Sequence, residues 1–385
     1  MMNILYIMDL LGDGGVEKMT LHWVSRIAGG DVKIDFVVRD VESRENERIL
    51  SEKGCRIYRM PYTYRHFLKR KRLLESIMGK TQYDIIHVHG ATGVDFLIYK
   101  WAKEAGIPVR IAHSHNADCV FRHWYSGILH KIMKRFIPVY ATAFLGCSKD
   151  ACEFYYGSVP GARVILNGID TGVFRFCMEN REHMRRRYHV EDKIVYGSVG
   201  RCEKQKNHEF LLDIYSELLK RQPNAFFLLI GHGSLDEMIE KKIRALGLDR
   251  HFIWVKQTGK VSDYMAMMDV FVFPSLYEGL GIVGVEAQSM GLPVLISEEA
   301  YHEEIGVTKL LHRMELRRGA GEWARRCMEL SQNQGAAREG CSNLVEKAGY
   351  SIEASADRLK EIYDSELKRM SRSCAGKKQK GITAG

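Results

Sequence analysis

The chain alternates short apolar segments with amphipathic segments of helical length, and this alternation occurs twice along its 385 residues. The apolar segments predict strands at 3–9, 32–38, 57–60, 84–88, 111–115, 143–146 and 163–166, and again at 194–199, 225–230, 252–255, 270–273 and 294–296. The segments between them predict helices at 16–28, 66–79, 93–105, 207–221 and 234–246. Strands that alternate with helices in this way are typical of parallel βαβ units.

Two such series predict an α/β fold of two Rossmann-like, doubly wound domains that face each other across a cleft, with a ligand at the carboxyl ends of both sheets. A charged segment marks the expected boundary, so that residues 1–180 form the first domain and residues 181–350 the second. Residues 340–370 are predicted to be helical throughout. The polar segment 371–385 is predicted to be a disordered tail.

Composition indicates a globular protein of the cytoplasm. Apolar residues make up 45% of the chain and charged residues 27%, as in ordinary globular proteins. No run of about 18 apolar residues is present to span a membrane, and the first residues have the pattern of a strand and not of a signal peptide. The nine cysteines are scattered without paired metal-binding spacing, which indicates reduced thiols.

Positive charge is concentrated in a few segments. The net charge is +9, with basic clusters at 65–72 and 181–187 and a predicted basic amphipathic helix around 128–136. No nucleic-acid-binding motif accompanies these clusters, so nucleic acid is not expected as a partner. An anionic membrane surface and a merely solvated face both remain open as explanations.

The segment 271–294 carries the strongest indication of a ligand site. A predicted strand leads through a glycine loop at 279–281 into a short helix, and such loops offer backbone N–H groups and the positive end of the helix dipole to an anion. Glu278 on the loop and Glu286 on the helix flank that anion site, where their carboxylates can accept hydrogen bonds from sugar hydroxyls. This combination fits a nucleotide-sugar, and a ligand-free loop with a solvated Glu278 is the alternative.

Two cations and several glycines follow other predicted strands. Arg201 and Lys206 come after the first strand of the second domain, where they could neutralise a diphosphate leaving group. A solvated charged loop is the alternative for this pair. Glycines that would allow close backbone approach to a ligand, or simply make turns, lie at Gly14, Gly15, Gly231 and Gly233.

Two His-x-His pairs end neighbouring predicted strands, one at His87 and His89 and the other at His113 and His115. Strand alternation puts both members of each pair on one face, so a four-histidine metal site is geometrically conceivable. No carboxylate completes either pair nearby, and the two cations described above make a metal unnecessary. No metal or other cofactor is therefore predicted, and His115 is favoured as a single catalytic or sugar-contacting histidine.

In this order, the segments resemble the family 4 glycosyltransferases of the GT-B fold, in particular the bacterial capsular and exopolysaccharide members. The resemblance covers nearly the whole chain, and its most specific element is the Glu-x7-Glu pair within Phe-Pro-Ser-x-Tyr-Glu-Gly-x-Gly. It rests further on Gly-Gly-Val-Glu at 14–17, His-Ser-His-Asn at 113–116, Leu-Asn-Gly-Ile-Asp at 166–170 and Gly-Arg-x4-Lys-Asn at 200–207. One departure is His232, where many relatives have aspartate.

The resemblance implies transfer of a sugar from a nucleotide-sugar to an acceptor hydroxyl, with retention at the anomeric carbon and without metal. It implies that Arg201 and Lys206 hold the donor diphosphate, that Glu286 binds the ribose hydroxyls, and that Glu278 contacts the donor sugar. His115 would lie beside the transferred sugar. The other substrate-binding positions that it implies are Gly14, Gly15, Asn116, Gly231, Gly233, Gly279, Leu280, Gly281 and Ile282. A helix of residues 351–370 would cross back to the N-terminal domain.

The expected protein is a hexosyltransferase of cell-surface polysaccharide synthesis, cytoplasmic or peripheral on the inner face of the membrane. A UDP-sugar is the expected donor, bound by the C-terminal domain, and the N-terminal domain is expected to bind the acceptor, a glycan or a lipid-linked glycan. Two rival functions remain. One is a nucleotide-sugar epimerase or hydrolase of the same fold, and the other is a non-catalytic nucleotide-sugar-binding assembly partner.

Overall fold

The computed structural model describes residues 1–12, 14–62, 66–116, 124–332 and 338–382. The chain divides into two compact units, of which unit 1 contains residues 1–168 and the chain from Ile352 onward, and unit 2 contains residues 169–351. The division falls at residue 169, whereas the sequence analysis expected it at 181. The reason is that Ile169 donates its backbone N–H to the Tyr350 carbonyl at 2.7 Å and forms a β-bridge with Ser351.

Unit 1 is a parallel sheet flanked by helices. Its strands are β1 (Met2–Leu11), β2 (Val32–Val41), β3 (Ile57–Arg59), β4 (Ile85–Gly90), β5 (Val109–Ser114), β6 (Ala143–Gly146) and β7 (Arg163–Val164). Its helices up to the end of the sheet are α1 (Gly15–Ile27), α2 (Arg44–Glu52), α3 (Phe67–Lys80), α4 (Phe96–Glu104), α5 (Trp124–Met133), α6 (Ile137–Tyr140) and α7 (Lys149–Tyr156). The strand order is β3-β2-β1-β4-β5-β6-β7, so the order reverses between β1 and β4.

Unit 2 repeats this architecture. Its strands are β8 (Ile194–Val199), β9 (Ala225–Ile230), β10 (Phe252–Val255), β11 (Val270–Phe273), β12 (Val294–Ser297) and β13 (Leu311–Met314). Its helices are α8 (Met178–Arg187), α9 (His208–Arg221), α10 (Asp236–Ala245), α11 (Val261–Ala266), α12 (Ile282–Ser289), α13 (Gly319–Gln332) and α14 (Cys341–Val345). The strand order is β10-β9-β8-β11-β12-β13, with its reversal between β8 and β11.

Apolar side chains cover both faces of each sheet. On β1, Ile4 and Tyr6 belong to one buried cluster with α1, while Leu5 and Ile7 belong to the cluster on the opposite face. A parallel sheet that is covered on both faces reads as a nearly continuous apolar run, which is why β1 to β12 were predicted, whereas the half-exposed β13 was not. The two doubly wound α/β units confirm the predicted fold class.

The last helix, α15 (Ile352–Ile382), belongs to unit 1. Trp23 donates its indole N–H to the Ser355 hydroxyl at 2.9 Å, and Arg26 pairs with Asp357 at 2.9 Å, so α15 packs along α1. These contacts place the segment that the resemblance assigned to the N-terminal domain within unit 1.

Two expectations about the C-terminal region were wrong. Residues 340–370 are not helical throughout, because Gly349 has a φ of 89° and Ser351 is extended. The predicted disordered tail begins as helix, because α15 continues from residue 371 to Ile382. Polar composition prevents a segment from being buried, but it does not prevent the segment from extending a helix that is already formed. Within the described residues, no helix combines the length and apolarity needed to cross a membrane.

Candidate functional site

Lys206 and Glu278 meet at the carboxyl edge of the unit 2 sheet. Lys206 follows β8 and Glu278 follows β11, the two neighbouring strands between which the order reverses, where α/β sheets bind ligands. Lys206 Nζ lies 2.6 Å from Glu278 Oε1, and their side chains keep only 18% and 7% of their exposure. Lys206 Nζ also lies 5.0 Å from the centre of the Phe273 ring. Glu278 is therefore a buried, paired carboxylate, and the alternative of a solvated loop residue is wrong.

Side chains that the sequence analysis did not select support this pair. Gln205 donates from Nε2 to the Tyr277 carbonyl at 3.0 Å and to Glu278 Oε2 at 3.3 Å. His302 Nε2 lies 2.8 Å from the Glu278 carbonyl. The position of Gln205 inside the 200–207 motif was a usable signal, whereas His302 lies in a segment without a recognisable pattern. These contacts hold the loops after β8 and β11 together.

The N-terminus of α12 lies next to Glu278 in the chain. Gly281 precedes the helix with φ 76°, a left-handed conformation that favours glycine. The backbone N–H groups of the first helical turn have no acceptor within the helix and form the positive end of its dipole. Glu286 lies one turn after Ile282 and is half-buried. A donor-rich helix end is thus bordered by carboxylates at Glu278 and Glu286.

Arg201 lies just after the end of β8 and is exposed, in contrast to the buried Lys206–Glu278 pair. Its neighbour Glu203 accepts hydrogen bonds from the Ser234 hydroxyl at 2.7 Å and the Ser234 N–H at 3.0 Å. Burial raises the pKa of Glu203, but the Ser234 hydrogen bonds and the charge of Arg201 outweigh it and lower that pKa. Arg201 is therefore a solvent-facing cation at the same edge of the sheet, so the structure keeps the alternative of a solvated side chain open for it.

The predicted ligand-contacting glycines have structural reasons of their own. A Cβ on Gly231 would lie 2.0 Å from the Gly200 carbonyl oxygen, and a Cβ on Gly233 would lie 2.6 Å from the Cys202 carbonyl oxygen. The loops after β8 and β9 therefore pack too closely for side chains at these positions. In unit 1, the space beside Gly14 is filled by the Glu17 carboxylate, with Oε2 2.4 Å from the position of a Cβ. Gly15 begins α1.

The four histidines form one buried cluster in unit 1. His89 lies opposite His113 in the register of β4 and β5, and the rings form two hydrogen-bonded pairs. His87 Nε2 lies 3.0 Å from His113 Nδ1, and His89 Nδ1 lies 2.7 Å from His115 Nε2. The two pairs lie side by side: His87 stacks on His89 with centroids 4.5 Å apart, and His113 lies tilted by 34° against His115 with centroids 4.2 Å apart. The predicted placement of both His-x-His pairs on one face is confirmed, and Asn116 beside them is exposed.

Burial keeps these imidazoles neutral. It lowers the pKa of His115 to about 3. Burial, with repulsion between neighbouring rings, also holds the pKa of His87, His89 and His113 well below the usual range. A neutral imidazole presents one N–H donor and one lone pair, so each ring in the cluster can donate only one hydrogen bond.

The cluster is also the place in unit 1 where a metal could be held. Ring nitrogens of His87, His89 and His113 lie within 4.8 Å of one another. An ion bound by His87 would have to replace one of its two hydrogen bonds, because Nδ1 meets the Tyr363 hydroxyl and Nε2 meets His113. The arrangement fits a hydrogen-bonded stack better than a set of metal ligands.

Comparisons with known proteins bear on both units. A family model described as Glycosyltransferase Family 4 matches residues 13–173, and one described as Glycosyl transferases group 1 matches residues 179–307. The chain is 29% identical over 378 residues to EpsF of Bacillus subtilis (strain 168), which is named as a glycosyltransferase; the match covers 94% of this chain and 96% of EpsF.

A second relative and a solved structure extend this match. The chain is 26% identical over 240 residues, 58% of this chain and 60% of the other, to the Escherichia coli UDP-Gal:alpha-D-GlcNAc-diphosphoundecaprenol alpha-1,3-galactosyltransferase. The crystal structure of Anabaena HepE in complex with UDP has a TM-score of 0.77 at 17% identity, over 94% of this chain and 100% of HepE. HepE has also been crystallised with UDP-glucose.

Proposed function

Since the chain belongs to the family 4 glycosyltransferases and has the GT-B fold, we propose that it transfers a sugar from a UDP-sugar to an acceptor hydroxyl with retention at the anomeric carbon. The observation that carries the proposal is the Lys206–Glu278 pair beside the N-terminus of α12. It combines a fixed cation and the positive end of a helix dipole for a diphosphate with carboxylates for sugar hydroxyls. The complexes of HepE with UDP and UDP-glucose support a uridine nucleotide as the donor carrier.

The predicted catalytic residues, Glu286 and the loop 279–282 receive roles in this proposal. Lys206 and Arg201 hold the diphosphate, together with the N–H groups of residues 279–282. Glu286 accepts hydrogen bonds from the ribose hydroxyls, and His115 contacts the transferred sugar. Glu278 orients Lys206 as well as meeting the donor sugar, since both of its oxygens already accept hydrogen bonds.

The proposed reaction needs no metal and no separate base. The bond between the anomeric carbon and the diphosphate oxygen breaks, and the electron pair leaves with UDP. The acceptor oxygen bonds to the anomeric carbon on the same face, and its proton passes to the departing phosphate oxygen. Lys206 and Arg201 stabilise the charge that develops on that phosphate, which is where fixed cations have the largest effect on rate.

An apolar and basic surface on unit 1 supports a membrane-bound acceptor. Ile128, Ile132 and Val139 keep 51%, 50% and 60% of their exposure, and Lys131 and Arg135 lie exposed between them. Exposed apolar side chains among cations are the pattern of helices that lie on anionic bilayers. We therefore propose that the acceptor is a lipid-linked glycan of cell-surface polysaccharide synthesis and that the enzyme works at the cytoplasmic membrane face.

Thermal unfolding with nucleotide-sugars tests the donor site. UDP-, GDP-, ADP- and CMP-sugars are added to the full chain with EDTA present. A ligand at about 100 times its Kd adds about 2.7 kcal/mol to the stability. We expect selective stabilisation by UDP-sugars that is lost in Glu286→Ala and retained in Glu346→Ala, which removes an exposed carboxylate of unit 2.

The same assay separates the rival functions. UDP-sugar consumption without acceptor would indicate a hydrolase or epimerase. Binding without consumption, in the presence of membrane extracts that contain lipid-linked glycans, would favour the non-catalytic partner. Stabilisation by no nucleotide-sugar, or stabilisation that requires added divalent metal, would contradict the proposed donor site.

Vesicle flotation tests the membrane surface. We expect the chain to float with phosphatidylcholine vesicles that contain phosphatidylglycerol and to float less as salt is added. Ile128→Ser with Ile132→Ser should abolish flotation, whereas Val173→Ser, an equally exposed apolar site on unit 2, should not. Flotation of the double variant at the level of the unmodified chain would refute this docking surface.

A further inference from the structure

The histidine cluster contains two separate hydrogen-bonded chains. In the first, the Tyr6 hydroxyl bonds the Tyr363 hydroxyl at 2.5 Å, Tyr363 bonds His87 Nδ1 at 2.6 Å, and His87 bonds His113. In the second, His89 Nδ1 bonds His115 Nε2 at 2.7 Å. The residue that the proposed function places beside the sugar is thus held by His89 and not by the tyrosine chain.

Ring nitrogens at the free ends of these chains are buried and have no hydrogen-bond partner among the described residues. In the second chain they are His89 Nε2 and His115 Nδ1. A buried polar nitrogen without a hydrogen-bond partner raises the free energy of the folded state. A buried N–H without an acceptor is rarer than a buried acceptor without a donor. When such a nitrogen lies in a ligand site, its missing hydrogen-bond partner is expected to come from the bound ligand.

The shared hydrogen between His89 and His115 can be arranged in two ways. If His115 donates from Nε2, the second N–H of the pair is on His89 Nε2, enclosed by the rings of Tyr6, Trp23 and His87. If His89 donates from Nδ1, the free N–H is on His115 Nδ1, at the end of β5 beside the exposed Asn116. The second arrangement puts the free N–H on the residue that follows the carboxyl end of β5, the edge of a parallel sheet at which ligands bind.

We infer that His89 is a positioning residue that fixes His115 as the Nδ1–H tautomer, so that His115 Nδ1–H donates a hydrogen bond to an oxygen of the transferred sugar. This inference rests on the proposed function for the identity of the ligand. The tautomer itself is a property of the ligand-free chain. Because burial keeps His115 neutral, the group that meets the sugar is an uncharged donor.

Nuclear magnetic resonance of the full chain with isotope-labelled histidine tests the tautomer without any ligand. The ring nitrogen shifts separate Nδ1–H from Nε2–H imidazoles, and His115→Gln identifies the His115 signals by their loss. We expect His115 to carry its proton on Nδ1 and His89 to carry its proton on Nδ1. A proton on His115 Nε2 overturns the inference and leaves the proposed transferase function untouched.

Variants of His89 test its positioning role through the ratio of the Kd for UDP to the Kd for a UDP-sugar. Titration calorimetry with UDP, UDP-glucose, UDP-galactose and UDP-N-acetylglucosamine supplies these constants. His89→Leu removes the donor, and we expect the ratio to fall about 3- to 10-fold, the effect of one hydrogen bond, with the Kd for UDP unchanged. His89→Asn keeps an N–H near the position of Nδ1 and should restore most of the ratio.

His87→Leu is the matched control, because His87 is equally buried on the same strand but bonds Tyr363 and His113. It should lower the melting temperature without changing the ratio. An unchanged ratio in His89→Leu, or an equal fall in His87→Leu, overturns the positioning role. If no UDP-sugar binds the unmodified chain, the proposed donor fails, and the tautomer measurement still decides the inference.

Discussion

The neutral histidine cluster should make unit 1 unusually sensitive to mild acid. In the unfolded chain each imidazole takes up a proton near its ordinary pKa of about 6.5, whereas the folded cluster stays neutral because burial depresses the pKa of all four rings, to about 3 for His115. The unfolded state therefore binds more protons below about pH 6.5, so the free energy of unfolding falls as the pH falls. This stability is fully present above about pH 6.5 and is lost toward the folded pKa values.

The size of the effect follows from the number of rings. For each ring that stays neutral in the folded state, the free energy of unfolding falls by about 1.4 kcal/mol for every pH unit below about 6.5. Four rings lose about 5 to 6 kcal/mol by about pH 5.5, which is comparable to the whole stability of many domains. Unit 2 should lose less, because His208, whose pKa burial lowers to about 4, is its most strongly depressed imidazole among the described residues.

Hydrogen exchange read by mass spectrometry checks this prediction within one sample. Peptides from β4 and β5 report on unit 1, and peptides from β8 and β9 report on unit 2, each corrected for intrinsic exchange. Between about pH 7.5 and about pH 5.5 the protection of β4 and β5 should fall far more than that of β8 and β9. His113→Phe should reduce the slope, and His183→Phe, an exposed position, should not. Equal protection of β4 and β5 at both pH values would refute the argument that the rings remain neutral.

Three substitutions in unit 2 test its packing and its ion pairs. Gly231→Ala should destabilise unit 2 by more than about 2 kcal/mol in urea unfolding, because its Cβ would lie 2.0 Å from the Gly200 oxygen; stability within the error of the unmodified chain would contradict this. Asp269→Ala should lower the free energy of unfolding by about 3 to 5 kcal/mol in the same assay. The substitution leaves two arginines of α8 and the Val195 N–H without their carboxylate. A loss below about 1 kcal/mol would mean that water replaces the carboxylate. Glu278→Gln should bind UDP at least as tightly as the unmodified chain while losing UDP-sugar affinity in calorimetry, and weaker UDP binding would show that the negative charge is needed to hold the lysine.

The sheet architecture could be predicted because it depends on local pattern. Strands that are buried on both faces consist of apolar runs, and the predicted segments at 194–199, 225–230 and 252–255 coincide with β8, β9 and β10. The sequence placed Lys206 and Glu278 in loops that follow strands at the ligand edge of the second sheet, but their ion pair was not predicted. Helix α2 was missed because its sequence is almost entirely polar, with only Asn46 and Leu50 buried.

Partners that are distant in the chain could not be predicted. Nothing near His87 indicates that its ring nitrogen meets Tyr363, 276 residues away, and His302 reaches the Glu278 carbonyl from a segment without a motif. The role of Gly231 was also hidden, because a close approach of two backbones leaves no sign in the sequence beyond the glycine itself. The unit boundary depends in the same way on the pairing of Ile169 with Ser351.

Under the proposed function, the Lys206–Glu278 pair has a reason to place an acid so close to the cation that would hold the leaving group. Burying a cation without a partner costs free energy, and in the proposed reaction a donor diphosphate would occupy the site for only part of each cycle. Glu278 supplies the partner when the site is empty, and Gln205 holds its second oxygen so that the carboxylate stays in place. When the diphosphate arrives, Lys206 can share its three N–H donors between the two anions, and Glu278 keeps lone pairs for a sugar hydroxyl. In this proposal the carboxylate competes with the diphosphate for Lys206 and also binds the sugar. An amide of the same shape can still accept a hydrogen bond from Lys206 but carries no competing charge, which is why Glu278→Gln is expected to keep UDP affinity and lose UDP-sugar affinity.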